Sequence, residues 1–311
     1  MPTTSRRLDG RTQAESIRRE VAAGVREMTA RGAAAPCLAV VLVGENPASL
    51  VYVGSKMRAS EEAGLRTRER RLPATATQAQ VLEAVRALNA DPQVDGILVQ
   101  MPLPAAVDAR AVIEAIDPAK DVDGFHPLNV GRLCSGGAGF VPCTPLGIVE
   151  LLEREKIAIA GREAVVIGRS DIVGKPMAAL LLRRHATVTV CHSRTESLAR
   201  VAARADILVA AIGRPAFVTR EFIKPGATVI DVGMNQVTDE AVARDLFSDD
   251  PARLQAMKTR GSALVGDVHP AHVKEAAGAY TPVPGGVGPL TVAMLLSNTL
   301  AAARARRGGG A

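Results

Sequence analysis

Apolar residues at positions 14, 17, 21, 25 and 28 (Ala14, Ile17, Val21, Val25 and Met28) recur at helical spacing and predict a first helix. A continuous apolar run follows, Leu38 to Val43, bounded by Pro36 and Gly44, which predicts a buried strand. Ser49 to Ala63 predicts a helix that Ser49 caps after Pro47. Thr67 to Leu72 predicts an exposed, Arg-rich strand, Thr77 to Asn89 a helix with Val81, Leu82, Val85 and Leu88 inward, Gly96 to Gln100 a strand, and Val107 to Ile116 a helix. Helices and strands thus alternate over the first 120 residues, which predicts a parallel sheet.

The periodicity then lapses. Residues 117–145 are rich in Asp, Gly and Pro, and a loop this long inside a compact chain is usually functional or a linker. From Thr144 a helix through Ile148, Leu151 and Leu152 predicts a bridge between two domains. A second alternating series follows, with strands at Val165 to Gly168, Thr187 to Cys191, Ile207 to Ala211, Thr228 to Asp231 and Leu264 to Val268. Helices are predicted at Gly174 to His185 and Glu196 to Arg204. The polar segment 235–260 reads as an arm or insertion. A last helix places Val292, Leu295, Leu296 and Leu300 on one side, and Arg304 to Ala311 reads as a disordered tail.

Composition narrows the picture. Of 311 residues 47% are hydrophobic but only 2% aromatic, so the core is built from Ala, Val, Leu and Ile. That suits close-packed α/β layers better than a β-sandwich. The net charge of +6 raises nucleic acid as a partner. Acidic residues interrupt the arginines, however, and a mildly basic surface also suits phosphates and carboxylates. Cys37, Cys134, Cys143 and Cys191 form no C-x-x-C pair and have no His at metal-ligand spacing, so free thiols in the cytoplasm and no metal are expected. The start of the chain lacks the apolar stretch of a secretory signal, and no segment reaches membrane-helix length.

Candidate chemistry sits at strand ends, where open α/β sheets bind ligands. Tyr52 and Lys56 lie four apart, on one face of the predicted helix, and Gln100 ends a predicted strand before two prolines. An aromatic, an amine and an amide there suit one planar, polar ligand. Gly168-Arg169-Ser170 through Gly174 is a strand, glycine turn and helix start of the kind that meets a phosphate, although its spacing is not G-x-G-x-x-G and an ordinary βα turn has the same pattern. After the next strand Cys191-His192-Ser193-Arg194 offers a hydroxyl and a guanidinium where NAD-binding proteins usually carry a carboxylate. With Arg169 this favours the 2′-phosphate of NADP; Arg194 alone reads equally as a surface charge. Gly213 and Gly233 end later strands and either line the nicotinamide half or simply turn the chain. Asp121 and Asp123 admit metal binding, a solvated loop, or a carboxylate accepting paired N–H groups from a heterocycle.

Taken together, Tyr52-Val-Gly-Ser-Lys56, Val99-Gln-Met-Pro-Leu-Pro104, Lys120-Asp-Val-Asp-Gly-Phe-His-Pro127, Gly168 to Pro176, Cys191 to Thr195 and Pro284 to Thr291 resemble the bifunctional methylenetetrahydrofolate dehydrogenase/methenyltetrahydrofolate cyclohydrolases. The resemblance implies an N-terminal α/β folate/catalytic domain at 1–145, completed by the returning C-terminal helix at 288–307. It also implies a Rossmann-like NADP domain at 146–287, with 308–311 as the tail and the site in the cleft between domains. NADP⁺ would oxidise 5,10-methylenetetrahydrofolate, and water would open the methenyl product to 10-formyltetrahydrofolate, within one-carbon metabolism and purine biosynthesis. By the same resemblance Lys56 is central to cyclohydrolysis with Gln100 as its partner, Tyr52 packs on the folate, Asp123 holds the pterin, Gly286 and Pro289 belong to the substrate site, and a homodimer forms, with the 235–260 arm as a candidate contact. An amine suits proton transfer because like charge from the cationic substrate favours its neutral form, whereas a guanidinium stays protonated.

Two positions depart from the family pattern. Leu290 replaces a usual methionine, a swap that keeps apolar volume. His269 replaces an aspartate in Gly266-Asp-Val-His269 and receives no role. Competing readings are an NADP-dependent dehydrogenase of another small molecule, such as a shikimate-type enzyme, a dehydrogenase without the second activity, and a nucleic-acid-binding Rossmann protein.

Overall fold

The computed structural model describes residues 5–248 and 250–308. They pack as two compact units, one formed by residues 5–13 and Thr144–Leu290, the other by Ala14–Cys143 and 291–308. The helices Gly10–Ala30 and Val287–Gly308 therefore each contribute to both.

The second of these units is built on a parallel three-stranded sheet in the order Arg66–Leu72, Cys37–Val43, Gly96–Val99. Every residue of the central strand is buried, as its unbroken apolar run requires. Its alternate residues Cys37, Ala39, Val41 and Val43 pack on one face with Val81, Val85 and Val112 of the helices Gln78–Ala90 and Ala109–Glu114. The Gln78–Ala90 helix starts in a capping box, with Thr77 and Gln80 satisfying each other's backbone donors. The helix Pro47–Glu62 is capped by Asn46, which accepts from the Ser49 N–H at 3.2 Å, with Pro47 in the first turn. Ser49 is thus inside the helix and not its cap.

The region 117–145 is more ordered than its composition indicates. It contains the helix Pro127–Ser135, opened by His126, whose Nδ1 accepts from the Leu128 N–H at 3.0 Å, and closed by Gly136 at φ 83°. A buried Lys120 donates from Nζ to the carbonyls of Leu88, Asn89 and Asp91 at 3.0, 2.7 and 2.7 Å. Burying an unpaired ammonium costs several kcal/mol, and three carbonyl acceptors offset that cost. They also close the C-terminal end of the Gln78–Ala90 helix.

The other unit holds a parallel six-stranded sheet, ordered Arg6–Arg7, Ala279–Tyr280, Thr228–Asp231, Ile207–Ala210, Glu163–Ile167, Thr187–Cys191. Its order reverses at Glu163–Ile167, which has the next strand on one side and the one after on the other. Arg6–Arg7 and Ala279–Tyr280 are too short to show a period, and their pairing puts the start of the chain on this sheet and not with residues 14–143. The 235–260 segment is a folded insertion: strand Asn235–Val237 pairs antiparallel with Ala263–Val265, and the helices Glu240–Leu246 and Pro251–Arg260 close a small core of Val237, Leu246, Phe247 and Met257. The strand expected at Leu264 to Val268 therefore runs only to Val265 and lies outside the main sheet. At the C-terminus the last helix continues through Arg304 to Gly308, so that stretch is helical and not a tail; residues 309–311 lie outside the described residues.

Candidate active site

Lys56 and Gln100 meet because of sheet register. Lys56 lies in the helix that follows the central strand, and Gln100 directly follows Gly96–Val99, its parallel neighbour. Both side chains are thereby carried to the carboxyl end of the sheet, and the Lys56 Nζ donates to Gln100 Oε1 at 3.0 Å. The Gln100 Nε2 donates to the Met101 carbonyl at 2.6 Å, which orients the amide with its oxygen towards the amine. Tyr52, one turn before Lys56, is 39% exposed, and burial of the rest raises its phenol above its ordinary pKa. A largely apolar ring with an open face suits stacking on a planar ligand.

The two carboxylates of the 121–123 segment separate cleanly. Asp121 is consumed by the fold: Oδ1 accepts from the Phe125 N–H at 3.2 Å, and Oδ2 from the His126 N–H at 2.8 Å and the Asn129 Nδ2 at 2.9 Å. Asp123 lies within the loop so pinned and is half-buried. Burial pushes its carboxyl up to about 6, helped by the Asp121 charge and opposed by Lys56 and a hydrogen bond with Cys143. Its neighbour Gly124 has φ 73°, and a Cβ there would sit 2.5 Å from the Val141 carbonyl carbon, so only glycine allows this loop to pass residues 141–142. Asn298, from the last helix, donates to the Val122 and Val141 carbonyls at 2.8 and 3.2 Å and holds both segments. Cys143 is a buried thiol, raised well above its ordinary pKa by burial, which fits a structural side chain. Among the described residues no group of three or more His, Cys, Asp or Glu side chains is placed to hold a metal ion.

The glycine turn stands at the reversal of strand order in the other unit, where ligands bind such sheets. Gly168 has φ 131°, and a Cβ on it would meet the Ala211 carbonyl oxygen at 2.1 Å; one on Gly174 would meet the Gly168 oxygen at 2.3 Å. The Ser170 hydroxyl accepts from the Val173 and Gly174 N–H groups at 3.2 and 3.3 Å. These helix-start amides are therefore held by the protein itself. Arg169 and Ser170, and Ser193 and Arg194, leave adjacent strand ends and are exposed, since Ile167 is paired with Cys191. Two guanidiniums and two hydroxyls at neighbouring ends fit a phosphorylated ribose. Gly213, at φ 66°, follows the strand Ile207–Ala210, and Gly233 follows Thr228–Asp231. Gly286 and Pro289 fall in this same unit, Pro289 in the first turn of Val287–Gly308.

Sequence patterns gave no role to Asp267 or Asn298 and read Asp231 only as the start of the strand-end segment Asp231-Val-Gly233. Asp231 and Asp267 are buried charged residues whose acceptors are filled by backbone N–H groups, a property visible only in three dimensions. The one advance signal was an aspartate directly after a glycine, in Gly266-Asp267, at a predicted strand. His269, the departing residue, stacks on His272 with ring centroids 3.9 Å apart. Leu290 is fully buried, as an apolar replacement requires.

Comparison with known proteins agrees with this geometry. Residues 8–123 match the family model described as Tetrahydrofolate dehydrogenase/cyclohydrolase, catalytic domain, and residues 142–307 match its NAD(P)-binding domain. The chain is 54% identical over 301 residues to the bifunctional protein FolD of Koribacter versatilis, covering 97% of each. A crystal structure of the bifunctional FolD methylenetetrahydrofolate dehydrogenase/cyclohydrolase from Campylobacter jejuni is 42% identical with a TM-score of 0.86, over 96% of this chain and 98% of that one. The Trypanosoma brucei dehydrogenase-cyclohydrolase, solved with NADP and an inhibitor, is 38% identical with a TM-score of 0.88, over 100% of both chains. With both domains matched in order, and identity above one half across nearly the whole length, the chain belongs to the tetrahydrofolate dehydrogenase/cyclohydrolase family.

Proposed function

We infer that the chain oxidises 5,10-methylenetetrahydrofolate to 5,10-methenyltetrahydrofolate and then hydrolyses that cation to 10-formyltetrahydrofolate. The observation that carries the inference is the Lys56–Gln100 hydrogen bond at the carboxyl end of the sheet, with Tyr52 one turn away. NADP⁺, when bound, accepts the hydride of the first step. Arg169, Ser170, Ser193 and Arg194 would hold its 2′-phosphate, Gly168 and Gly174 allow the chain to turn beneath it, and Gly213 and Gly233 border the nicotinamide half.

The folate is the planar, polar ligand that suits Tyr52. Its pterin presents an amino group and a ring N–H as adjacent donors, and ionised Asp123 accepts both. The second step needs a proton acceptor for the attacking water. Water adds to the carbon between the two nitrogens and gives one proton to Lys56; as the bond from that carbon to N5 breaks, Lys56 returns this proton to N5 and the carbinol hydroxyl releases its own to solvent, leaving the neutral 10-formyl product and one free proton. Gln100 holds Lys56 in place through a neutral acceptor.

Replacement of Lys56 tests the reading. Lys56→Met should abolish hydrolysis of methenyltetrahydrofolate while part of the hydride transfer survives. Equal loss of both activities, with folate affinity intact, would remove Lys56 from the second step.

A homodimer is supported by the edge strand Thr187–Cys191, which has one unpaired side. Val190 on it is 39% exposed, and Leu182 on the preceding helix is 65% exposed. The 235–260 arm offers less, because it turns its apolar side chains into its own core. A cytoplasmic enzyme fits four free thiols, and among the described residues no helix is long and apolar enough to cross a membrane. The 10-formyl product would serve formyl transfer, as in purine biosynthesis.

A further inference from the structure

Asp267 is fully buried, at 0% exposure, and follows Gly266 in the segment after the small antiparallel ribbon. Its Oδ2 accepts from the Ile212 N–H at 2.6 Å and the Gly213 N–H at 3.0 Å. Oδ1 accepts from the Arg214 N–H at 2.9 Å and from the Asn235 Nδ2 at 3.0 Å. One carboxylate thus gathers three consecutive backbone donors of the loop that leaves the strand Ile207–Ala210. A second buried carboxylate fixes the first. Asp231 Oδ1 accepts from the Gly233 and Asp267 N–H groups at 2.9 and 2.8 Å, and Oδ2 from the Val268 N–H at 3.0 Å. Carboxylates filled by N–H donors form stronger bonds than neutral acceptors, so the loop has little freedom.

Peptide planarity gives this arrangement a direction. In a trans peptide the N–H of one residue and the C=O of the one before it point opposite ways. Drawing the N–H groups of 212, 213 and 214 towards Asp267 therefore turns the carbonyls of Ala211, Ile212 and Gly213 away from it. The Ala211 oxygen indeed faces Gly168, 2.1 Å from where a Cβ on that glycine would lie. The Ala211 carbonyl thus lies on the side that faces the glycine turn.

We propose that Asp267 is a positioning residue for the dinucleotide, turning the carbonyls of the 211–213 loop outwards as acceptors for the cofactor's ribose hydroxyl and carboxamide N–H groups. This rests on the reading that the Gly213 loop borders the cofactor. Asp267 touches neither reactant. Its influence passes through the loop, so it should govern cofactor affinity and leave the cofactor-independent step alone.

Asp267→Asn is the direct test. The carboxamide keeps one acceptor oxygen but turns an NH₂ towards backbone donors, which releases part of the loop. The expected result is faster amide exchange at 212–214 in the cofactor-free protein. The KM and Kd for NADP⁺ should rise about tenfold to a hundredfold, the cost of losing one or two charge-assisted hydrogen bonds. The folate KM and hydrolysis of methenyltetrahydrofolate without cofactor should stay within about twofold, as no hydrogen bond to that substrate changes. Asn235→Ala, which removes one of the four donors, should raise the NADP⁺ KM about threefold by the same route and serves if Asp267→Asn does not fold. Unchanged NADP⁺ affinity in both variants would overturn the proposal, as would parallel loss of both activities. Gly213→Val assigns such a failure. If it weakens NADP⁺ binding, the loop does border the cofactor and Asp267 is not what holds it; if it leaves NADP⁺ binding unchanged, the placement of the loop against the cofactor is what failed.

Discussion

Removing the Lys56 amine should separate the two activities, because only hydrolysis needs a proton acceptor in the protein. Gln100 sharpens this. Its neutral oxygen holds Lys56 at 3.0 Å, and Gln100→Glu would replace it with a carboxylate that pairs with the ammonium. Hydrolysis should fall at least about tenfold while hydride transfer changes less, since an ammonium paired with a carboxylate is held protonated and cannot accept the water's proton. Stopped-flow decay of methenyltetrahydrofolate would measure it, and an undiminished rate would count against proton transfer at Lys56. Asp123 supplies a pH dependence. Its carboxyl is raised to about 6, first by burial, so it is protonated at pH 5 and ionised at pH 7.5. Ionisation in the folded state is disfavoured relative to the unfolded chain, so this group's stabilising balance is present below about pH 4 and is lost as pH rises through 6. Asp123→Asn should accordingly match the wild type near pH 4 and be more stable above pH 6. With the side chain only partly exposed, the difference should be on the order of 1–3 kcal/mol, read from denaturant midpoints at two pH values. Folate binding should move oppositely. The pterin donors need the carboxylate, so wild-type affinity should drop about tenfold per pH unit below 6. A folate affinity flat from pH 5 to 7.5 would dissociate Asp123 from the pterin.

The elements that carry these side chains were largely legible. Unbroken apolar runs such as Leu38 to Val43 gave buried parallel strands, and the 3–4 spacing from Ala14 to Met28 gave a helix whose named residues are all buried. What escaped notice was either too short or locally polar. Two-residue strands such as Arg6–Arg7 have no period to detect, and the Pro127–Ser135 helix depends on a histidine cap and a left-handed glycine more than on an apolar stripe. Lys56, Gln100, Asp121 and Asp123 stand in motifs that the sequence displays, whereas Asp267 and Asn298 act through long-range hydrogen bonds that no spacing reveals. Gly124 tests the link between loop and site. Gly124→Ala adds a Cβ 2.5 Å from backbone at φ 73°, so the 121–125 loop must shift. Folate KM should rise about tenfold, the scale of about 1.4 kcal/mol lost as the loop is displaced, with NADP⁺ KM unchanged. Equal folate KM in variant and wild type would show that the loop's path does not set the site. The last helix is anchored in the same manner: buried Asp95 pairs with Arg306 and Arg307 and accepts from the Cys37 N–H at 2.9 Å. Asp95→Ala should cost about 2–3 kcal/mol in urea unfolding, because it strands that amide and leaves Arg306 and Arg307 only the Val94 and Ala34 carbonyls.

At the scale of the whole molecule, the net charge of +6 was the least informative of the sequence signals. Many arginines are cancelled in ion pairs such as Arg154–Glu150, Arg204–Glu163 and Arg220–Glu275, and the other exposed guanidiniums include Arg169 and Arg194 at the ends of neighbouring strands. Those two favour a phosphorylated cofactor over a long polyanion. The proposed dimer would join at the edge strand Thr187–Cys191, and Val190→Lys should then shift sedimentation towards the monomer. The central claim is that one chain performs two steps on one folate, with Lys56 serving only the second. The most direct measurement follows NADPH formation from methylenetetrahydrofolate and, separately, the decay of methenyltetrahydrofolate, in the wild type and in Lys56→Met. Wild-type protein that does both, and a variant that still forms NADPH while methenyltetrahydrofolate decays only at the buffer rate, is the predicted result. A variant that hydrolyses methenyltetrahydrofolate as fast as the wild type would contradict it.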